Sequence, residues 1–166
     1  MNIWRGIPDV RHKLSKTITA LCEVDLRAIR HNYKILNGRV ARKGGELGAV
    51  VKANAYGLGA TEITKTLLRA GCRDFFVAYV QEGLDLRKEA LEKNELVERL
   101  GRSEAEKVRV YVLTGLPEGL EELYATNGLI PCLGSLDEVK RWNGYCQSIQ
   151  RPLETYVHVD TGMART

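Results

Sequence analysis

Lys52 is the residue whose type and setting most directly suggest chemistry. It closes the apolar run Leu47-Gly48-Ala49-Val50-Val51 and is followed by Ala53-Asn54-Ala55-Tyr56-Gly57-Leu58-Gly59. In parallel α/β folds, ligands bind at the carboxyl ends of strands. A lysine held there among apolar residues can lose its proton more readily and act as a nucleophilic amine. The plain alternative is a lysine that buries its stem and carries its charge to solvent; Lys52 taken alone favours that second reading. His158 lies in another strand-like run, Leu153-Glu154-Thr155-Tyr156-Val157-His158-Val159-Asp160. The histidines, His12, His31 and His158, form no H-E-x-x-H cluster. The cysteines, Cys22, Cys72, Cys132 and Cys146, form no C-x-x-C pair and have no histidine at finger spacing. No metal site is expected, and Cys22, Cys72 and Cys132, in or beside apolar segments, read as small buried hydrophobes in a reducing compartment.

The elements that must carry these residues alternate. Ala20-Leu21-Cys22-Glu23-Val24 is a strand candidate. Asp25 is placed to cap a helix whose Leu26, Ile29, Tyr33, Leu36 and Val40 share one face. After the Lys52 strand, a second helix holds Ile63, Leu67 and Ala70 and stops at Gly71. Phe75–Val80 is the next apolar run, followed by a helix with Leu84 and Leu91 that frays into a charged stretch up to Lys107. Val108–Leu113 is strand-like. Pro117 sits near the start of a further helix that Asn127-Gly128 ends. Leu129–Leu133 is the next strand, and Ser135-Leu136-Asp137-Glu138 reads as a capping box for a helix lined by Leu136, Val139, Trp142 and Cys146.

Strands and helices recurring at intervals of roughly 20 to 35 residues imply a parallel sheet with crossover helices. An open doubly wound sheet and part of a (β/α)8 barrel both fit. Gly57-Leu58-Gly59-Ala60-Thr61-Glu62 lacks the third glycine of a dinucleotide fingerprint, and there is no G-x-x-x-x-G-K-[ST] loop. The 166 residues are too few for a complete barrel, which needs roughly 250. Composition is that of an ordinary soluble domain, 44% hydrophobic and 28% charged. The net charge of +4 is spread without a basic run interleaved with aromatics, so nucleic acid is not an expected partner. No apolar run has the length to cross a bilayer. Met1–Thr19 lacks the apolar core of a secretory leader, which points to the cytoplasm.

Two strings go further. Ala49-Val50-Val51-Lys52-Ala53-Asn54-Ala55-Tyr56-Gly57-Leu58-Gly59 closely resembles the lysine motif of alanine racemases, which use pyridoxal 5′-phosphate (PLP). His158-Val159-Asp160-Thr161-Gly162-Met163-Ala164-Arg165 resembles the D-[TS]-G-M-x-R motif of the same family. Both fall at strand ends and in the family's order. Glu23-Val24-Asp25-Leu26 before Ala28-Ile29-Arg30-His31-Asn32, and Phe75-Phe76-Val77-Ala78 before Glu82, are weaker echoes. The resemblance implies that Lys52 binds PLP covalently and serves as one catalytic base. It implies that Tyr56 reaches the cofactor phosphate, and that Arg165 faces the PLP phenolic oxygen and the substrate carboxylate. Their plainer readings are a turn aromatic for Tyr56 and a surface charge for Arg165. Many family members carry at position 158 a lysine that becomes carbamylated and pairs with the motif arginine. His158 cannot do so, and a core-facing, hydrogen-bonded histidine is its plainer role.

The fold so implied is an α/β parallel (β/α) barrel, incomplete, with about five of the eight strands near residues 47–52, 75–80, 108–113, 129–133 and 154–160. Residues 1–19 are then an N-terminal extension, and residues 20–166 a partial PLP-binding barrel domain without the family's C-terminal β domain. The segment at 20–24 lies outside the barrel. The implied activity is PLP-dependent interconversion of L-alanine and D-alanine, which supplies D-alanine for peptidoglycan, by an enzyme that is a homodimer in its full-length family. Racemisation needs acid–base groups on both faces of the substrate carbon. In the resembled family the second is a tyrosine of the C-terminal domain, so a truncated chain is expected to turn over poorly or not at all. Thr166 also departs from the Leu or Val then Gly expected after the second motif. The alternatives are a non-catalytic PLP-binding remnant and a half completed by a separate C-terminal polypeptide. On activity, a decarboxylase or broader racemase of the same fold type is the runner-up.

Overall fold

The computed structural model describes residues 22–92 and 107–162. The proposed N-terminal extension, the charged stretch 93–106 and Arg165 lie outside the described residues.

Among the described residues, five strands form one parallel sheet: β1 (Ala49–Val50), β2 (Asp74–Val77), β3 (Arg109–Val112), β4 (Leu129–Leu133) and β5 (Tyr156–Val157). Each pairs with the next in sequence, so the order is β1-β2-β3-β4-β5. A doubly wound sheet reverses its strand order at a switch point. This order has no reversal, as in a barrel in which every crossover goes the same way. All five strand expectations overlap the sheet, but β1, β2, β3 and β5 are shorter than expected, and Val80, expected to end β2, instead opens the next helix. Cys22–Val24 carries no strand, and Cys22 is exposed rather than buried because this segment runs outside the sheet.

Helix α1 (Leu26–Ala41) precedes β1, and α2 (Ala60–Arg69), α3 (Val80–Leu86), α4 (Glu121–Thr126) and α5 (Leu136–Ser148) connect the strands, with α3 running on into a π-helical stretch, Arg87–Glu92. Asp25 caps α1, accepting from the amides of Arg27 (2.8 Å) and Ala28 (3.2 Å). These bonds hold its carboxyl below the usual range. The apolar face expected on α1 is only partly used. Tyr33 is buried and donates to the Leu47 carbonyl (3.2 Å), whereas Leu36 is half exposed, because α1 rests on α2 rather than on the sheet.

Strand alternation divides the sheet into two faces. Phe75 pairs with Val110 and Val77 with Val112, and all four are buried under the helices. Each such side chain contributes roughly 1.5–3 kcal/mol when withdrawn from water. Cys72 belongs to this core, and burial pushes its thiol up to about 11, which makes it an inert packing group. The opposite face carries aromatics. Phe76 stacks on Tyr111 at 4.6 Å, and Tyr156 meets Tyr111 edge-on at 5.4 Å.

The amino ends of the strands are locked by Arg109. Its guanidinium grips Asp74 with two bonds, Nε to Oδ1 at 2.5 Å and Nη2 to Oδ2 at 2.9 Å. Glu46 adds a third at 2.9 Å, and Glu154 lies 3.8 Å away. One side chain thus ties β3 to β2 and to the segments entering β1 and β5. The bond to Asp74 raises the arginine's already high pKa further, so it remains charged at any workable pH.

Candidate functional site

The carboxyl edge of the sheet is built differently. At Val51 the backbone leaves β1 (φ −121°, ψ 17°), although the Val51 amide still reaches the Phe76 carbonyl at 2.8 Å. Lys52 follows, half-buried, and opens a short helical segment, Lys52–Tyr56. Within it Ala53, Asn54, Ala55 and Tyr56 have φ between 50° and 56°, so this is one turn of left-handed helix made without glycine. Such a turn costs roughly 1–2 kcal/mol per residue for L-amino acids. Strain of this kind persists only where surrounding contacts over-determine it, and it gathers at binding and catalytic sites.

Those contacts can be named. The turn closes on itself through Ala55 N to Val51 O and Gly57 N to Ala53 O, both 2.9 Å. Gly57 and Gly59, at φ 84° and 96°, carry the chain out of it into α2. Asn54 caps α2 by accepting from the Ala60 amide through Oδ1 at 2.8 Å. From the neighbouring unit comes Glu82, at the third position of α3. Its Oε1 accepts from the Ala53 amide at 2.7 Å, and its Oε2 accepts from Ala78 (2.7 Å) and Tyr79 (3.2 Å). In the sequence Glu82 figures only in a weak family echo, after Phe75-Phe76-Val77-Ala78. The signal that could have found it is an acid at the third position of a helix that directly follows a strand.

Lys52 has no hydrogen-bond or ion-pair partner among the described residues. Tyr56 is 64% exposed at the end of the same turn, and Tyr79 is equally exposed on the loop after β2. At the far end of the sheet, the His158 amide extends β5 by donating to the Leu133 carbonyl at 2.7 Å. Its Nε2 is buried and has no hydrogen-bond partner among the described residues. A hydrogen-bonded core histidine would not leave that nitrogen unmatched. A primary amine, a strained turn beside it, an exposed phenol and an orphaned imidazole nitrogen therefore line the carboxyl edge from β1 to β5. This donor set suits a ligand with an aldehyde carbon and anionic oxygens, and the residues present fit PLP. Tyr56 follows Lys52 on one turn. Arg165, the third expected site residue, is not among the described residues.

Comparison with known proteins gives a consistent result. The family model described as "Alanine racemase, N-terminal domain" matches residues 24–166. The alanine racemase of Rhodospirillum rubrum is 45% identical over 147 residues, covering 89% of this chain and 35% of that protein. The crystal structure of alanine racemase from Bartonella henselae with covalently bound pyridoxal phosphate superposes with a TM-score of 0.72 at 39% identity. It covers 86% of this chain and 35% of that one. A histidine racemase from Leuconostoc mesenteroides subsp. sake shares the fold, with a TM-score of 0.64 at 24% identity over 84% of this chain and 33% of that one. The chain spans about a third of the length of the curated relatives it matches.

Proposed function

Because the chain belongs to the alanine racemase N-terminal domain family, we propose that it provides the lysine-bearing part of a PLP-dependent alanine racemase site. The observation that carries this reading is Lys52, a half-buried amine without a partner among the described residues, at the carboxyl end of β1 and at the start of a left-handed turn. Bound PLP supplies an electron sink that makes the substrate Cα–H acidic. Lys52 Nζ would hold the cofactor's aldehyde carbon and move a proton on one face of the substrate carbon. The Tyr56 hydroxyl would donate to the cofactor phosphate. Arg165, through its fork of N–H donors, would orient the substrate carboxylate. His158 Nε2, unmatched among the described residues, would find its partner in the loaded site.

Inversion needs a second acid–base group on the opposite face. By the family resemblance it is a tyrosine of a β-rich domain outside the N-terminal family region, contributed across a homodimer. Residues 20–166 then act as a partial barrel domain, and these 166 residues alone turn over slowly. The proposed setting is the cytoplasm, with D-alanine destined for peptidoglycan. No helix among the described residues is long and apolar enough to cross a membrane.

Cofactor capture tests the reading. The chain is incubated with PLP, reduced with borohydride and mapped by peptide mass. The expected result is a pyridoxyl label concentrated on the peptide that contains Lys52 and absent in Lys52→Ala. Label spread over surface lysines with no preference for Lys52 would sink the proposal. D-alanine formation from L-alanine, measured before and after the rest of the barrel and a β-rich domain are supplied in trans, separates a racemase part from a PLP-binding protein without turnover.

A further inference from the structure

We propose that Glu82 is a positioning residue for Lys52: its carboxylate holds the left-handed turn in register with the loop after β2, and so sets where the lysine amine stands. This inference rests on the reading of Lys52 as the PLP lysine.

The geometry asks for two acceptors on one side chain. Ala53 N–H is the first amide after Lys52, and at the start of a helical turn such an amide has no partner within the turn. Glu82 Oε1 takes it at 2.7 Å, while Oε2 takes the amides of Ala78 and Tyr79. All three partners are N–H donors. A carboxylate satisfies both loops at once, whereas a carboxamide must turn its NH2 toward one of them. Ala53 is exposed, so water could satisfy its amide if Glu82 were lost. Water would not fix its direction. With four consecutive non-glycine residues at positive φ, the turn has a lower-energy right-handed alternative. Its hand must be held by contacts outside its own backbone, and the charge-assisted bond from Glu82 is one.

The molecule supplies its own control. Glu138 occupies the third position of α5 and does the same work two units along. Its Oε2 accepts from Gly134 (2.7 Å) and Ser135 (3.1 Å), and its Oε1 accepts from Leu116, in the loop after β3, at 2.9 Å. That loop carries no lysine and no non-glycine residue at positive φ. Any general cost of cutting such a tie appears in both variants, and only the one at Glu82 reaches Lys52.

The experiment compares the full chain with Glu82→Gln and Glu138→Gln in two measurements. The first is amide hydrogen exchange of the unloaded proteins over the peptide spanning residues 51–60. The second is PLP affinity, with the visible circular dichroism of the bound cofactor, which reports a fixed asymmetric setting. Glu82→Gln is expected to speed exchange in the turn and weaken PLP binding by about tenfold or more, as befits a lost charge-assisted bond, with the dichroic band reduced. Glu138→Gln is expected to stay within about twofold on both measurements. Unchanged exchange, affinity and dichroism in Glu82→Gln would overturn the inference. Equal losses in both variants would also overturn it, by reducing Glu82 to a general structural tie. If the wild-type chain does not capture PLP at Lys52, the functional reading fails, and the exchange data still decide whether Glu82 holds the turn.

Discussion

The loop after β1 and the loop after β3 leave the same edge of one sheet, and each is tied by a glutamate from the helix behind the next strand. They are nevertheless held to different degrees. Around Thr114-Gly115-Leu116, Tyr124 donates to the Gly115 carbonyl (2.7 Å) and Arg141 to the Leu116 carbonyl (2.5 Å). Thr114 donates to the Ala78 carbonyl (2.7 Å), and Glu138 takes the Leu116 amide. Gly115 and Leu116 are buried. The lysine turn is largely exposed, wound against the preferred hand, and reached from the next unit by Glu82. The difference teaches a division of labour within a single architecture. One loop is packed for stability, and the other keeps strain and access beside Lys52, the amine proposed above to hold PLP.

Gly115→Ala should break the comparison most severely. Its φ of 86° disfavours any side chain, and an added Cβ would collide with Glu138 Oε1. Left-handed strain and overpacking together should cost about 2–4 kcal/mol, read by urea denaturation. Gly57→Ala has a similar φ of 84° but open space around the new Cβ, so it should cost only about 1–2 kcal/mol. Equal losses would mean that the crowding at Gly115 is not real. Next come the two glutamates. Glu138→Ala strands the buried Leu116 amide and should lose about 1–3 kcal/mol. Glu82→Ala, whose Ala53 partner water can serve, should lose about 1 kcal/mol or less, while harming PLP capture more. Thermal unfolding followed beside cofactor titration would expose a reversed order. The smallest effect has the opposite sign. Ala53→Gly relieves one left-handed residue at the cost of glycine's extra chain entropy, and should stabilise by about 0.5–1 kcal/mol. A destabilised Ala53→Gly protein would argue that the turn is not strained at that position.

Much of this was legible in the sequence, and what was not has a physical reason. Short apolar runs between helix signals placed all five strands, and Ser135 with Glu138 announced the start of α5, because these signals are local. The lysine motif pointed to Lys52 and Tyr56 as site candidates. The handedness of that turn could not be read, since Ala53, Asn54 and Ala55 are ordinary residues that adopt it only under tertiary constraint. Glu82 was hidden because Tyr79 is not a usual capping residue, so no capping box was visible ahead of α3. Arg109 went unnoticed because its partners, Glu46, Asp74 and Glu154, are distant in sequence and converge only when the strand ends align.

The strand order has a consequence for biosynthesis. Because each of the five described strands after the first pairs with the one made just before it, a chain emerging from the ribosome can add each unit to a surface already in place, which favours vectorial folding. The ties follow with a delay. Ala53 waits 29 residues for Glu82, and Leu116 waits 22 for Glu138. Through the first interval the lysine segment is free to relax into the right-handed form. Lys52 therefore acquires its final setting only after the second strand and the start of its helix have been translated, and a nascent chain halted before Glu82 would present it on an ordinary flexible loop.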